Sequence, residues 1–245
     1  MKPTMIRIGN FFFKYRNKLF PLIILLLFAL QTPSETLLSS KYLANIKDWV
    51  AMLIAISGLA LRGLVIGYAY IKRGGMNKKV YAENLVTEGL FGVCRNPLYV
   101  GNVLIYIGVF MLHGAPLIML SGIAAFLFIY QCIVYAEEAY LEEKFGEGYK
   151  NYCRDVSRWG INLRRFKAST EGMNFNFGRA IQKDYSTIAT TFIMLAVTEI
   201  YKQLAKAEGD ISSQEVRTLF LLILMIGLWA GFILFLKKRA SKQVS

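Results

Sequence analysis

Long apolar runs separated by short polar stretches constrain this chain more than any other feature. A membrane-spanning helix needs about 20 mostly apolar residues. Candidates occur at 19–31 (LFPLIILLLFALQ, extensible at both ends), 49–71, 98–112, 116–136, 185–201 and 218–236. The runs at 98–112 and 116–136 are joined by HGAP, which predicts a helical hairpin. With 55% of its 245 residues hydrophobic and 18% charged, the chain is expected to be an all-α integral membrane protein of about six transmembrane helices.

The net charge of +13 does not point to nucleic acid, because the basic residues flank the apolar runs. They cluster at Arg7/Lys14/Arg16/Lys18, Lys72/Arg73/Lys78/Lys79, Arg158/Arg164/Arg165/Lys167 and Lys237/Lys238/Arg239. In a six-span arrangement all four clusters lie on one side, and the positive-inside rule makes that side cytoplasmic, with both termini. Anionic membrane lipids are then the natural partners of these charges. The first apolar run lacks a small-residue cleavage site and follows a basic leader, so it reads as a retained span. Cys94, Cys132 and Cys153 show no metal-ligand spacing, and free thiols with no bound metal are expected. The polar stretch 167–184 reads as a connector. It divides a four-span core (1–166) from a two-span extension (167–245). Nothing in the sequence sets an oligomeric state.

The stretch LVTEGLFGVCRNPLYVGN (85–102) sits at the cytoplasmic foot of the third span. Asn96 is a good N-cap and Pro97 suits the first helical position, where no N–H is needed. A helix start offers N–H groups and partial positive charge to an anion, and Arg95 adds a full charge beside it. After the fourth span, Leu141, Phe145, Tyr149, Tyr152 and Val156 recur at helical spacing within 137–159, the pattern of an interfacial amphipathic helix. Gly146 and Gly148 are expected to break or bend it, and Glu137 and Glu138 stand at the membrane edge before it.

Taken in order, LVTEG, the RNPLY cluster with Gly101, the hairpin, and the EE-x-x-L-x-x-x-FG-x-x-Y series resemble the isoprenylcysteine carboxyl methyltransferase and phospholipid methyltransferase superfamily. The match runs from residue 85 to Tyr152 and weakly back to Arg62. The resemblance implies an integral membrane enzyme that uses S-adenosylmethionine, with the hairpin and the cytoplasmic amphipathic helix forming the cofactor site. It implies cofactor contacts at Glu83, Asn84, Leu85, Val86, Phe91, Asn96, Pro97, Leu98, Tyr99 and Glu137. Arg95, Glu137 and Glu138 are the residues expected to carry the reaction, on a lipid or lipidated substrate. The chain departs from the carboxyl methyltransferase pattern at Glu83, Phe91, Asn96 and Ile133, and after its last basic residue in SRWGINL.

Two isolated polar residues bear on mechanism. His113, the sole histidine, falls in the HGAP turn across the membrane from the cluster and is not expected to act as a base. With no histidine at the site, an acceptor that needs no deprotonation, such as a carboxylate, is mildly favoured. Arg62 sits inside a span, where a charge costs roughly 2.5–3.5 kcal/mol. It should face the bundle interior, toward Glu137, Glu138 or the cofactor carboxylate. The expected activity is methyl transfer to a prenylcysteine carboxylate, with a phospholipid amine as the alternative acceptor. A nicotinamide-dependent sterol-type reductase and a non-enzymatic scaffold are the other readings.

Overall fold

A computed structural model describes residues 2–34, 36–37, 39–68, 82, 84–206, 227–228 and 231–232. Among them the chain forms seven α-helices, two 3-10 turns and no strand. The long helices are α1 (Lys2–Leu30), α2 (Lys41–Tyr68), α3 (Pro97–His113), α4 (Pro116–Phe145) and α7 (Phe177–Lys206). Two short helices, α5 (Glu147–Asp155) and α6 (Phe166–Ser169), follow α4. Of the described helices, α2 and α4 are long and apolar enough to cross a membrane, and α3 is a shorter apolar helix. Outward-facing leucines at 22, 25, 26, 30, 53, 64, 117, 120 and 127 clothe the helices in apolar surface, as a lipid environment demands and water does not.

The hairpin forms as expected. Gly114 closes α3 at φ +82, a conformation that favours glycine, and Pro116 opens α4 at a position that needs no N–H. Small residues let α3 lie directly on α2. A Cβ at Gly108 would come within 2.5 Å of the Ala51 carbonyl oxygen, and one at Gly101 within 2.8 Å of the Gly58 oxygen. On the other side α1 packs against α4 through aromatic rings. Phe20 meets Phe126 at 5.2 Å, and Tyr106 of α3 meets Phe126 at 4.1 Å between ring centroids.

The helix ends sort into two sets. At one end the Ser34 amide donates to the His113 carbonyl, and Lys47 Nζ donates to the Met111 carbonyl. His113, at the turn end of α3 and away from the cluster as expected, is fully buried there against Phe28. The opposite end gathers residues 84–96, the start of α3, the end of α4 and α5.

The first apolar run extends as expected: it forms one continuous helix with the basic leader, and α1 carries Pro21 inside it. The polar stretch 167–184 carries most of α6 and the first two turns of α7. The run at 218–236, apart from residues 227–228 and 231–232, lies outside the described residues, as do the basic clusters at 72–79 and 237–239.

Arg62 has a different partner from the one expected. Its guanidinium pairs with Asp184 of α7, through Nε to Oδ2 at 2.9 Å and through Nη2 to Oδ1. It also donates to Asn102 Oδ1 at 2.7 Å and Thr187 Oγ1 at 3.1 Å. Asp184 lies 122 residues from Arg62, at the end of the polar stretch 167–184, so no local pattern links the two. The same helix is tied to α2 at both extremities. Arg179 donates to the carbonyls of Gly67 and Tyr68, which end α2, while Lys202 pairs with Asp48.

Removing Asp184 leaves a buried arginine without its counter-charge, an error that costs about 3–5 kcal/mol. Asp184→Ala is therefore expected to lower the thermal unfolding temperature in detergent strongly, and the paired change Arg62→Met with Asp184→Leu to recover most of the loss. An Asp184→Ala protein that melts like the parent contradicts the buried-pair assignment.

Candidate functional site

Below α3 the chain folds into a compact foot. A 3-10 turn spans Gly89–Gly92, preceded by extended backbone at Glu88 and opened by Gly89 at φ +61. The segment is tied to the residues after α5: the Arg95 amide donates to the Ser157 carbonyl at 2.9 Å, and the Asn162 amide to the Val93 carbonyl at 3.1 Å. Pro97 opens α3 as predicted. Asn96 does not cap it with its side chain. Its amide Nδ2 instead donates to the Arg158 carbonyl at 3.2 Å, while the amides of Tyr99 and Val100 turn back onto its own carbonyl. Positive charge at this foot therefore comes from Arg95 more than from the helix start.

The adjacent glutamates of α4 point in different directions, since neighbouring helical positions lie about 100° apart. Glu137 is 7% exposed and accepts from the Tyr99 hydroxyl at 2.5 Å. Glu138 accepts from Arg158 in a fork, with Nε at 2.9 and 3.1 Å and Nη2 at 2.7 Å. Arg95 Nη2 lies 3.4 Å from the same carboxylate. Two arginines thus balance Glu138, which acts as a strut holding Arg95 and the foot against α4. Donating hydrogen bonds to the Glu138 carboxylate raises the pKa of Arg158 further still. Arg158 also sits over the Tyr135 ring at 4.9 Å. Sequence reading counted Arg158 only as a topology charge, because twenty residues separate it from its partner.

The apolar stripe expected to rest on lipid is used internally. α4 continues to Phe145, and Gly146 at φ +52 breaks the helix. This lets α5 fold back so that Tyr149, Tyr152 and Val156 bury against Leu85, Leu141 and Phe145. The Tyr152 hydroxyl donates to the Phe91 carbonyl at 2.6 Å, and Lys144 Nζ donates to the Ala82 carbonyl. Burial, reinforced by the charge of Glu138, pushes the Tyr149 phenol above its ordinary range. Burial likewise raises the Cys94 thiol. Both stay protonated at neutral pH.

These elements enclose a cavity of about 10 Å³ bordered by Asn84, Leu85, Val86, Arg95, Asn96, Glu137 and Glu138, with Tyr149 and Tyr152 from α5. Seven of the residues expected at the site therefore converge there. Phe91 is buried behind it with Leu90 and Val65, and Pro97 is buried at the start of α3. Leu98 and Tyr99 face a second, larger chamber of about 560 Å³ between α1, α3, α4 and α7. Glu83 lies outside the described residues. Glu137 borders both spaces. The second chamber has no signal in local sequence, since its walls come from five helices, α2 contributing Arg62.

Loss of Arg158 removes hydrogen bonds to a charged, mostly buried group, each worth about 1.5–3 kcal/mol. Arg158→Ala is expected to lower the unfolding temperature in detergent more than Arg164→Ala. Equal melting of the two variants argues against the strut.

Neither a curated protein nor a solved structure matches this chain. Residues 47–148, which carry most of α2, the foot, α3, α4 and both glutamates, match the family model described as phospholipid methyltransferase, and this segment is what the chain shares with the isoprenylcysteine and phospholipid methyltransferase superfamily.

Proposed function

We propose that this protein transfers a methyl group from S-adenosylmethionine to a lipidic acceptor at the cytoplasmic membrane face. The observation that carries the reading is the position of Glu137, held by Tyr99, between a small polar cavity at the helix ends and a larger chamber among the helices. A donor in the first space and an acceptor in the second would meet at this wall. The matched family segment ends just beyond the two glutamates.

The lining fits the donor in charge. Arg95 Nε is buried without a hydrogen-bond partner and Arg95 borders the small cavity, which suits the donor carboxylate. Glu137 supplies the opposite charge for a sulfonium. In volume, about 10 Å³ accepts a water-sized group, so donor binding requires the non-helical segment 84–87 to move away from α5. When bound, the cofactor supplies an electrophilic methyl group whose sulfur leaves as a neutral thioether. The chain's contribution is alignment, worth about 7–11 kcal/mol in well-oriented systems. Asn84, Leu85 and Val86 cover the donor, Arg95 orients its anionic end, and Glu137 and Tyr99 hold the wall across which the two reactants face each other. Glu138, tied to Arg95 and Arg158, positions them.

Of the two acceptors open from sequence, the chamber favours the amine. A carboxylate beside the rings of Tyr99, Tyr106 and Tyr130 attracts a cationic centre and repels an anionic one. Glu137 is also a group to which an amine can pass its proton. A phospholipid amine therefore fits better than a prenylcysteine carboxylate. In this reading residues 1–166 hold the donor, and residues 167–245 contribute α7 to the acceptor chamber. Six spans with both termini cytoplasmic remain the topology proposed here, supported by the two sets of ends of the five long described helices.

Calorimetric titration of purified protein in detergent with S-adenosylmethionine and, separately, with reduced nicotinamide dinucleotide phosphate tests this. Binding of the first alone is expected, weakened at least about tenfold (about 1.4 kcal/mol) by Arg95→Ala and by Glu137→Ala. Binding of the nicotinamide cofactor alone makes the protein a reductase, and binding of neither makes it a non-enzymatic membrane component.

A further inference from the structure

We infer that Ser169 of α6 is a positioning residue for the donor-binding segment 84–87, and that the cleft beside α6 is the space into which this segment withdraws when the donor enters. The identity of the donor rests on the methyl-transfer reading, whereas the anchor and the cleft stand on geometry alone. Helix α6 lies outside the matched segment 47–148.

The segment is held at both ends by side chains from distant parts of the chain. Lys144 of α4 donates to the Ala82 carbonyl, and the Ser169 hydroxyl donates to the Gly89 carbonyl at 2.5 Å. Between these anchors Leu85 faces α5, packing with Tyr149, Tyr152 and Val156. Beyond Gly89 the chain is fixed: the Phe91 carbonyl accepts from Tyr152, and the Arg95 amide donates to the Ser157 carbonyl. Gly89, at φ +61, is therefore the pivot where a movable stretch meets a fixed one.

Ser169 reaches this pivot because Gly92 has no side chain. A Cβ at Gly92 would come within 2.0 Å of the Ser169 hydroxyl oxygen. The other end of α6 is seated by Phe166, which packs with Val65, Leu90 and Phe91 and meets the Tyr68 ring edge-on at 5.7 Å between centroids. This short helix thus has one residue buried against the foot and another aimed at the pivot.

The spaces on the two sides of the segment are unequal. Toward α5 the cavity of about 10 Å³ has room for a water-sized group. Toward α6, between Thr87 and Glu88 on one wall and Ala168, Ser169 and Glu171 on the other, lies an open cleft of about 400 Å³. The two spaces share no lining residue, so the segment is the partition between them. A donor entering beside α5 pushes this partition toward α6, where the cleft gives it room. A pinned pivot confines the movement to the stretch before Gly89 and spares donor binding the cost of ordering the whole foot.

Hydrogen exchange without cofactor tests the anchor, and calorimetric titration with S-adenosylmethionine tests the cleft, both on the full chain in detergent. Ser169→Ala is expected to speed exchange of the Phe91, Val93 and Cys94 amides, which close the 3-10 turn, about fivefold, the loss of one ordinary hydrogen bond. Amides of α3 should exchange as in the parent. The same variant should weaken the donor about fivefold, and Ser169→Thr, which keeps the hydroxyl, should recover both. Ala168→Trp fills the cleft from an exposed position, and is expected to weaken the donor at least about tenfold with an unchanged unfolding temperature. If Ala168→Trp melts early, Glu171→Trp on the same wall takes its place, and if Ser169→Ala melts early the cleft variants decide. Parental exchange or parental donor affinity in folded Ser169→Ala overturns the positioning role. Parental donor affinity in a folded cleft-filled protein overturns the withdrawal. Faster exchange in Ser169→Ala, in a protein that binds no S-adenosylmethionine, would keep the anchor and reject the methyl-transfer reading.

Discussion

A single charge that cannot be left alone organises the bundle. Arg62 lies within the apolar length of α2, and an unpaired guanidinium there is too costly to keep. Its solution is Asp184, which is 3% exposed on α7, with Asn102 of α3 and Thr187 of α7 taking the remaining donors. Three helices are thereby fixed at one depth. Because α7 is drawn to α2 and α3 on that side, it stands away from α1 across the inner half of the bundle. The large chamber is the space that results. Its polar wall is the same set of groups that satisfies the arginine.

The foot beneath α3 follows a related logic. Glutamates adjacent in sequence cannot face the same way on a helix, so Glu137 and Glu138 divide the work. Glu138 is committed to Arg158 and Arg95 and joins the foot to α4. Glu137 turns inward to Tyr99 and becomes the partition between the two spaces. The fold-back at Gly146 then lays the tyrosines of α5 over the small cavity. Each feature is modest in energy. Together they put a carboxylate, an arginine and an aromatic lid at the boundary where apolar helix gives way to polar chain.

Much of this was legible from local patterns. The hairpin followed from HGAP between two apolar runs, and the start of α3 from Asn-Pro before LYVGN. The convergence of residues 84–86, Arg95, Asn96 and the glutamates followed from the ordered motif. The amphipathic stripe of 141–156 was visible as periodicity, although periodicity cannot say whether a greasy face meets lipid or protein. Here it meets Leu85. Asn96 has the residue type of a cap, but its amide finds the Arg158 carbonyl instead, because the segment after α5 offers a competing acceptor.

The order of apolar runs, the sites where helices start and break, and the need for a counter-charge within α2 were written in the linear chain, since each depends on residues a few positions apart. Which acid answers Arg62, which arginine holds Glu138, and the existence of the chamber beside Arg16 depended on contacts between residues 20 to 122 positions apart. Such pairings are chosen by how helices pack. No local propensity encodes them, because the energy that selects them arises only when distant surfaces leave solvent or lipid together.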